Sequence, residues 1–348
     1  MTAVILPETK HLPFEIPSLK ERLNFAFEMG LLVMRNKELA ISFATHLYCT
    51  PKGRRGELLP EKIYQDARDF AGPDLSTTLS SVPEISKLME TCKMGNLEID
   101  GERIRCYLWM RSKGSKAPVV VIAHGWESYG LASFPLIRSF IRAGWQVVTF
   151  DQRAHGSSSG HHAALPEFSR TLRTVVEKVG NVDLIVGHCL GATAAMAGIS
   201  RGQISVDKLV MISPHSDAVS YTYDFAKRWL IPEKIRKGML SNIEASFRME
   251  YRHVVPEIVG PKLNLPMIAF HDPADKFVPF RYTQRLQRHC ANLTLHESSG
   301  IGHFGGIVAP QVHEEILRFV NPRLQDDEGA RESTLAKRHP YSKSRKAA

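Results

Sequence analysis

The segment from Asn181 to Ala195 constrains the fold of this chain more than any other feature. It begins with a short apolar run, Val182 to Val186, which predicts a buried strand. A tight turn with the sequence Gly187-His188-Cys189-Leu190-Gly191 follows, and the small residues after it suit a closely packed helix. A strand, a sharp turn and a helix in this order predict a nucleophile elbow, whose central residue has a strained backbone. Gly187 and Gly191 fit this elbow because side chains at their positions would collide with neighbouring backbone.

The alternation of strands and helices after Gly95 predicts the fold class. A hairpin with an Asp100-Gly101 turn comes first, and apolar strands separated by helices follow. The predicted strands are 119–123, 146–150, 182–186, 209–212, 267–270 and 293–296, and the predicted helices include 134–143, 166–179, 282–289 and 311–320. This pattern indicates an α/β fold with a mostly parallel sheet covered by helices on both faces.

Two helical regions lie outside this alternating pattern. Apolar spacing predicts one or two helices from Leu19 to Tyr48, and a second helical stretch from Glu61 to Thr91 that breaks at Gly72-Pro73 and Pro83. Between Pro214 and Pro261 two predicted helices form an insertion, which we call the cap. The predicted organisation is an N-terminal helical extension (1–94), a core in two parts (95–214 and 262–323) around the cap (215–261), and a basic disordered tail (324–348).

Charge and cysteine content limit the classes of function. The net charge is +9, but the segment after Ala330 holds six Lys or Arg residues against one Glu. We therefore expect a solubilising tail rather than a nucleic-acid or membrane contact. Five cysteines without paired spacing predict reduced thiols in the cytoplasm, without disulfides and without a metal site. Neither a signal peptide nor a transmembrane segment is predicted.

An acid and a histidine follow the elbow in the order expected of a catalytic triad. Asp275 lies in the loop after the strand 267–270, and His303 lies in a Gly-rich loop after the last strand. Because carboxyl ends of parallel strands meet at one edge of a sheet, we expect both residues near Cys189. The backbone N–H groups of Leu190 and Trp126 would form the oxyanion hole.

The chain from about Gly95 to Arg323 resembles the α/β-hydrolase superfamily, nearest to its esterase, lipase and peptidase-like members with a cap. Four motifs carry the resemblance in the family's order, namely His124-Gly125, the loop from Asp151 to Ser158, the elbow, and the pair of loops with Asp275 and His303. The resemblance implies a hydrolase that forms an acyl-enzyme on a carboxylic ester, thioester or lactone. It implies a small-molecule acyl substrate and no cofactor.

The sequence departs from the family pattern at three positions. Cys189 stands where most members have serine, and Ala154 and Asp272 stand where glycine is usual. A cysteine elbow also resembles dienelactone hydrolases and polyhydroxyalkanoate synthases. Beside His303 and at the N-terminus of a helix, the thiol of Cys189 is expected to ionise to the reactive thiolate.

Several alternatives stay open from sequence alone. Asp272 could be the acid, although in the family the acid precedes a Val-Pro pair such as Val278-Pro279. Gly156 to Gly160 reads Gly-x-Ser-x-Gly, but no helix follows at once, so Ser158 is disfavoured as the nucleophile. The remaining histidines are expected to have packing roles, namely His11, His46, His161, His162, His215, His253, His289 and His313.

Three functions fit these features. The first is an esterase or thioesterase that uses Cys189, His303 and Asp275, and that prefers thioesters, activated esters or lactones because a thiolate leaves more readily than an alkoxide. The second is an acyltransferase or synthase that uses the same cysteine but excludes water. The third is a non-catalytic binding protein. Residues 1–94 could cover the core, shape a pocket or form a homodimer surface.

Overall fold

The computed structural model describes residues 18–52, 59–75, 81–110 and 115–321. The strands in this part of the chain are β1 (Lys93–Ile99), β2 (Glu102–Trp109), β3 (Val119–Ala123), β4 (Gln146–Phe150), β5 (Leu184–His188), β6 (Lys208–Ile212), β7 (Met267–His271) and β8 (Leu293–Glu297). The helices are α1 (Leu19–Arg35), α2 (Lys37–Cys49), α3 (Pro60–Leu75), α4 (Val82–Glu90), α5 (Phe134–Arg142), α6 (Leu165–Val179), α7 (Leu190–Ser200), α8 (Ala218–Arg228), α9 (Glu233–Phe247), α10 (Pro256–Val259), α11 (Arg281–His289), α12 (Gly305–Val308) and α13 (Pro310–Val320).

The eight strands form one sheet in the order β1-β2-β4-β3-β5-β6-β7-β8. Strands β1 and β2 run antiparallel to their neighbours, and all remaining pairs are parallel. Asp100 and Gly101 both have positive φ (51° and 77°), as the tight turn between β1 and β2 requires. The predicted fold class is confirmed, and the predicted strand ends differ from the observed ones by at most three residues.

The central strands are apolar because both of their faces are covered. Every residue of β3, β4 and β5 is buried. Val121 and Ile185 face a core that includes α6 and α7, whereas Val120 and Val186 face a second core that includes α5 and α13. The register aligns Val121 with Ile185 and Ile122 with Val186, so each face presents a continuous apolar surface.

The N-terminal helices differ from the prediction at Gly72-Pro73. Helix α3 continues through these residues to Leu75, so the predicted break there is wrong. The proline lies in the last turn of the helix. It removes one backbone hydrogen bond there, close to the end, where the regular hydrogen bonding of the helix stops in any case. Pro83 lies in the first turn of α4 and does not interrupt the helix, because a residue of the first turn needs no N–H donor.

The N-terminal helices α1 and α2 pack on the cap. A Cβ atom on Gly238 of α9 would lie only 2.4 Å from Cδ1 of Ile41 in α2, so glycine allows close packing. The ring of Phe25 in α1 lies 5.1 Å from the ring of Trp229, at the end of α8. Tyr48, at the end of α2, contacts Phe225 edge-on at 5.1 Å. These contacts hold α1 and α2 against α8 and α9.

Two further predictions concern membrane-spanning helices and the division of the chain into an extension, a core, a cap and a tail. Within the described part of the chain, no helix combines the length and the apolar character that crossing a bilayer needs. The division into extension, core and cap stays a prediction, and the tail from residue 324 lies outside the described residues.

Asp151, at the end of β4, holds together three separate segments. Its side chain accepts hydrogen bonds from Gly130 N (2.8 Å), Ser157 N (2.8 Å) and the hydroxyl of Tyr107 (3.0 Å). Burial raises the pKa of Asp151 to about 6, while these donors act in the opposite direction. The loop from Asp151 to Ser158 therefore has a structural role.

We expect Asp151→Ala to lower the free energy of unfolding by about 3 kcal/mol or more, because three donors lose their acceptor in a buried site. Urea unfolding followed by circular dichroism measures the change. Asp207→Ala is the matched control, since Asp207 is exposed, and its effect should stay within about 0.5 kcal/mol. Equal effects of the two substitutions would contradict this structural role.

Candidate active site

In the elbow between β5 and α7, the backbone of Cys189 is strained, and Gly187 and Gly191 lie close to neighbouring backbone. Cys189 has φ 48° and ψ −115°, a conformation that non-glycine residues rarely adopt. A Cβ atom on Gly187 would lie 2.5 Å from Cα of Ala192, and one on Gly191 would lie 2.3 Å from the carbonyl oxygen of Ala123. The turn therefore requires glycine at both positions, and it brings the start of α7 directly against the end of β3.

Asp275 and His303 form a hydrogen-bonded pair at the same edge of the sheet. Nδ1 of His303 lies 2.7 Å from Oδ2 of Asp275, whose side chain is completely buried. The other oxygen, Oδ1, accepts hydrogen bonds from the backbone N–H groups of Phe277 (2.7 Å) and Val278 (2.9 Å). A carboxylate with these contacts can only accept, so Nδ1 of His303 carries the hydrogen. Nε2 of His303 has no hydrogen bond within the described residues.

A second histidine, His271, contacts the same carboxylate. Its Nε2 lies 3.2 Å from Oδ2 of Asp275 and 3.0 Å from the carbonyl oxygen of Val278, and its Nδ1 lies 2.6 Å from the hydroxyl of Thr283. Burial alone would raise the pKa of Asp275, but the hydrogen bonds from His271 and His303 hold it far below its usual value. Sequence reasoning gave no role to His271, although its position four residues before Asp275, at the end of a strand, was a usable signal.

The loop that carries His303 is attached to the elbow by its backbone. The carbonyl oxygen of His303 accepts hydrogen bonds from Nε2 of His188 (3.1 Å) and from the hydroxyl of Ser213 (3.0 Å). The rings of His188 and His303 lie 4.8 Å apart. Burial, followed by the nearby His303, lowers the pKa of His188 to about 3, so His188 is neutral and serves as a donor.

The side chain of Cys189 is buried beside the loop of the acid. It packs with Val278 and Tyr282 in a small apolar cluster. The backbone N–H groups of Leu190 and Trp126, the predicted oxyanion-hole donors, both interact with the sulfur and lower the pKa of the thiol. No hydrogen bond joins the sulfur to His303 among the described residues. The structure thus gathers all five predicted residues at one edge, while their catalytic roles stay predictions.

The prediction that the thiol of Cys189 is ionised is wrong. Burial raises the pKa of Cys189 to about 12, and the negative charge of Asp275 acts in the same direction. The two N–H groups oppose this shift without cancelling it. Cys189 is therefore a neutral thiol at pH 7 rather than the thiolate expected beside a histidine and a helix N-terminus, because the loss of water outweighs the helix dipole.

The alternative residues have structural contacts. Asp272 accepts hydrogen bonds from Gly302 N (2.6 Å) and Ala274 N (2.8 Å), and so ties the acid loop to the loop of His303. Ser158 is buried, donates to the carbonyl oxygen of Asp151 (2.6 Å) and accepts from Arg105 N (2.9 Å). These contacts favour Asp275 as the acid and leave Ser158 without a base.

Of the remaining histidines, His215 lies near the elbow, whereas His46, His162 and His313 lie elsewhere in the fold. His46 and His162 form an exposed pair, with Nδ1 and Nε2 2.9 Å apart, and His313 contacts Ser139 at 3.0 Å. No cluster of three or more potential metal ligands occurs in the described ranges. His215 follows β6 and shares Asp224 of the cap with Tyr282. Sequence reasoning assigned His215 to packing, and that assignment stays a prediction.

Comparison with known proteins agrees with this architecture. A family model described as the alpha/beta hydrolase fold matches residues 118–247, which include β3, the elbow and the first cap helices. The structure is similar to mouse alpha/beta hydrolase domain-containing protein 10, at 14% identity and a TM-score of 0.52, over 67% of this chain and 99% of that one. It is also similar to a Pyrococcus furiosus esterase, at 17% identity and a TM-score of 0.51, over 79% of this chain and 98% of that one. A search of curated proteins gave no match.

A third similar structure is a membrane phospholipase A described as a bacterial virulence factor, at 13% identity and a TM-score of 0.51, over 72% of this chain and 92% of that one. Together with the sheet order, these matches confirm the fold that the resemblance implied. The chain has the α/β-hydrolase fold. At such low identity the likeness establishes the fold alone.

We expect Gly191→Ala to lower the free energy of unfolding by about 3 kcal/mol, because its methyl group would overlap the carbonyl oxygen of Ala123. Thermal and urea unfolding measure this change. Gly95→Ala is the control, since a Cβ atom at Gly95 meets nothing within 4 Å. A Gly191→Ala variant as stable as Gly95→Ala would show that the elbow is not constrained in this way.

The neutral thiol predicts a pH profile. Because the pKa of Cys189 is raised to about 12, its alkylation by iodoacetamide should become about tenfold faster per pH unit between pH 7 and pH 9, without a plateau. Site-resolved mass spectrometry follows Cys189 separately from Cys92, Cys106 and the other thiols. A plateau for Cys189 below pH 7 would instead indicate a preformed thiolate.

Proposed function

We propose that this chain, which has the α/β-hydrolase fold, is an acyl-transferring hydrolase that acts on a carboxylic ester, thioester or lactone. Cys189 is the nucleophile, His303 is the base, and Asp275 orients the imidazole. The backbone N–H groups of Leu190 and Trp126 stabilise the oxyanion. The proposal requires no metal or cofactor.

The observation that carries the proposal is the 2.7 Å hydrogen bond from Nδ1 of His303 to the buried Asp275, beside the elbow that presents Cys189. With the hydrogen on Nδ1, Nε2 of His303 has a free lone pair that can accept a proton. Asp275 is ionised and buried, so it stabilises the imidazolium that forms when Nε2 takes this proton. A cysteine with only a packing role would not need such a pair beside it.

The first half-reaction begins from the neutral thiol. As the sulfur of Cys189 attacks the acyl carbonyl carbon, the S–H proton passes to Nε2 of His303, and the carbonyl electron pair moves onto oxygen. The substrate oxygen, which now carries the negative charge, is held by the backbone N–H groups of Leu190 and Trp126. Collapse of the intermediate expels the alcohol or thiol, which takes the proton from His303.

The second half-reaction releases the acyl group. A water molecule gives a proton to Nε2 of His303 and attacks the thioester carbon. The C–S bond then breaks, Nε2 returns the proton to the sulfur, and the products are a carboxylic acid and the free thiol of Cys189. An alcohol or thiol acceptor in place of water would make the enzyme an acyltransferase. The esterase and phospholipase among the similar structures support ester substrates, and the thiol nucleophile favours thioesters and activated esters.

Incubation with a panel of acyl thioesters, nitrophenyl esters and ethyl esters tests the proposal by intact-mass spectrometry. We expect one acyl group per chain, attached at Cys189, and thioester turnover at least about tenfold faster than that of the matched ethyl ester. Cys189→Ala should abolish both acylation and turnover. Cys92→Ala is the matched control and should keep both, because Cys92 lies outside the site.

The other possible results of this experiment distinguish the cysteine mechanism from the alternative functions. Turnover that survives in Cys189→Ala refutes the cysteine mechanism, and absence of acylation with every substrate favours the non-catalytic binding protein. Product analysis with and without an added alcohol or thiol separates transfer from hydrolysis. Far higher esterase activity in Cys189→Ser would show that the fold favours a serine nucleophile.

A further inference from the structure

The loop after β3, residues 124–129, lies directly against the proposed nucleophile. It carries Trp126, whose backbone N–H is one of the two proposed oxyanion-hole donors, so we call it the oxyanion loop. A Cβ atom on Gly125 of this loop would lie only 2.9 Å from Cβ of Cys189. The N–H of Trp126 also acts on the thiol of Cys189. The position of this donor therefore depends on how the oxyanion loop is held in place.

The backbone of the oxyanion loop is strained next to Trp126. Glu127 has φ 53°, in the left-handed region that residues other than glycine rarely adopt. The hydrogen bond that closes the turn, from Ser128 N to the carbonyl oxygen of Gly125, is long at 3.4 Å. A strained conformation persists only where the surrounding structure fixes it, so contacts from outside the loop are needed.

Different parts of the chain hold the oxyanion loop on the two sides of Trp126. His124, at the start of the loop, accepts a hydrogen bond from Gln152 N (2.8 Å), which belongs to the core. Glu127, on the other side, accepts one at Oε1 from the backbone N–H of Lys52 (2.9 Å), just after α2. Burial raises the pKa of Glu127, and this N–H acts in the opposite direction. The segment before β1 therefore stabilises the residue next to Trp126.

Helix α3 holds the end of the oxyanion loop. The hydroxyl of Tyr129 donates to Oδ2 of Asp66 at 2.6 Å, and both residues are 5% exposed. Oδ1 of Asp66 lies 2.9 Å from Nζ of Lys62, one turn earlier in α3. A hydrogen bond to a carboxylate is stronger than one between neutral groups, and burial shields it from water. Tyr129 is therefore firmly attached to α3.

The same helix contacts the loop of His303. The ring of Phe70 in α3 stacks on the ring of Phe304 at 4.5 Å, and Phe304 meets the imidazole of His303 edge-on at 4.8 Å. Helix α3 thus contacts two loops of the proposed site, one with an oxyanion-hole donor and one with the base. The family model begins at residue 118, so α2 and α3 lie outside the residues that it matches.

We infer that the segment before β1 positions the N–H of Trp126 in the oxyanion hole and so contributes to catalysis. Glu127 and Tyr129 are the positioning residues, which act through their hydrogen bonds with Lys52 and Asp66. The inference rests on the proposed function. An oxyanion-hole donor stabilises the transition state more than the bound substrate, so its displacement lowers the rate of acylation and leaves substrate binding nearly unchanged.

Acylation of Cys189 by 4-nitrophenyl acetate tests the inference, because nitrophenolate release gives the maximal rate and the half-saturating concentration separately. The background rate of Cys189→Ala is subtracted. Tyr129→Phe removes one hydroxyl, and we expect the maximal rate to fall about 10- to 100-fold while the half-saturating concentration changes less than about twofold. Tyr64→Phe is the matched control and should keep the wild-type rate, because Tyr64 lies in α3 but packs on the second core.

Two substitutions of Glu127 provide a second test if Tyr129→Phe does not fold. Glu127→Gln keeps an oxygen that accepts from Lys52 N, so it should retain most of the acylation rate. Glu127→Met has a similar length without an acceptor, and its rate should fall about tenfold. A purely structural role would instead lower the unfolding temperature of Glu127→Met and leave its rate per folded molecule unchanged.

The inference is overturned if folded Tyr129→Phe or Glu127→Met keeps the wild-type rate, or if the loss appears in the half-saturating concentration instead. It is also overturned if Glu127→Gln and Glu127→Met behave alike. These results leave the proposed function intact as long as the wild type is acylated at Cys189. Absence of wild-type acylation by 4-nitrophenyl acetate and by the acyl thioesters overturns the proposed function, and this inference with it.

Discussion

The close approach of α7 to β3 is the contact on which the rest of the site depends. The Cα atom of Gly191 lies so near the carbonyl oxygen of Ala123 that no side chain fits between them. This contact sets the start of α7 beside the loop after β3, so the N–H groups of Leu190 and Trp126 both act on the thiol of Cys189. The strain at Cys189, with φ 48°, is sustained because the central strands around it are buried on both faces.

Burial governs the electrostatics of the site in two opposite ways. Asp275 stays ionised because two histidines and two backbone N–H groups stabilise it, whereas the two backbone N–H groups at the thiol of Cys189 do not outweigh its burial, and the thiol stays neutral. The negative charge of Asp275 further disfavours a thiolate. In the proposed mechanism, His303 accepts the thiol proton when the sulfur attacks, and the sulfur carries little charge beforehand.

Much of the fold could be predicted because its signals are local. Apolar runs such as 182–186 and the Asp100-Gly101 turn have one structural reading, and loops at the carboxyl ends of parallel strands bring Asp275 and His303 to the elbow. The charge of Cys189 could not be predicted, because it depends on how much water the surrounding chain excludes. The partners of His215 were equally hidden, since Asp224 and Tyr282 belong to different elements.

The packing of α2 on α9 has a consequence for how substrates reach the thiol. Gly238 admits Ile41 so closely that the cap helix and the N-terminal helix interlock, and Tyr48 contacts Phe225 at the same seam. Helices α8 and α9 are therefore held to α2 by side-chain packing as well as by their own chain connections. An outward movement of α9 would therefore have to move α2 with it or separate Ile41 from Gly238.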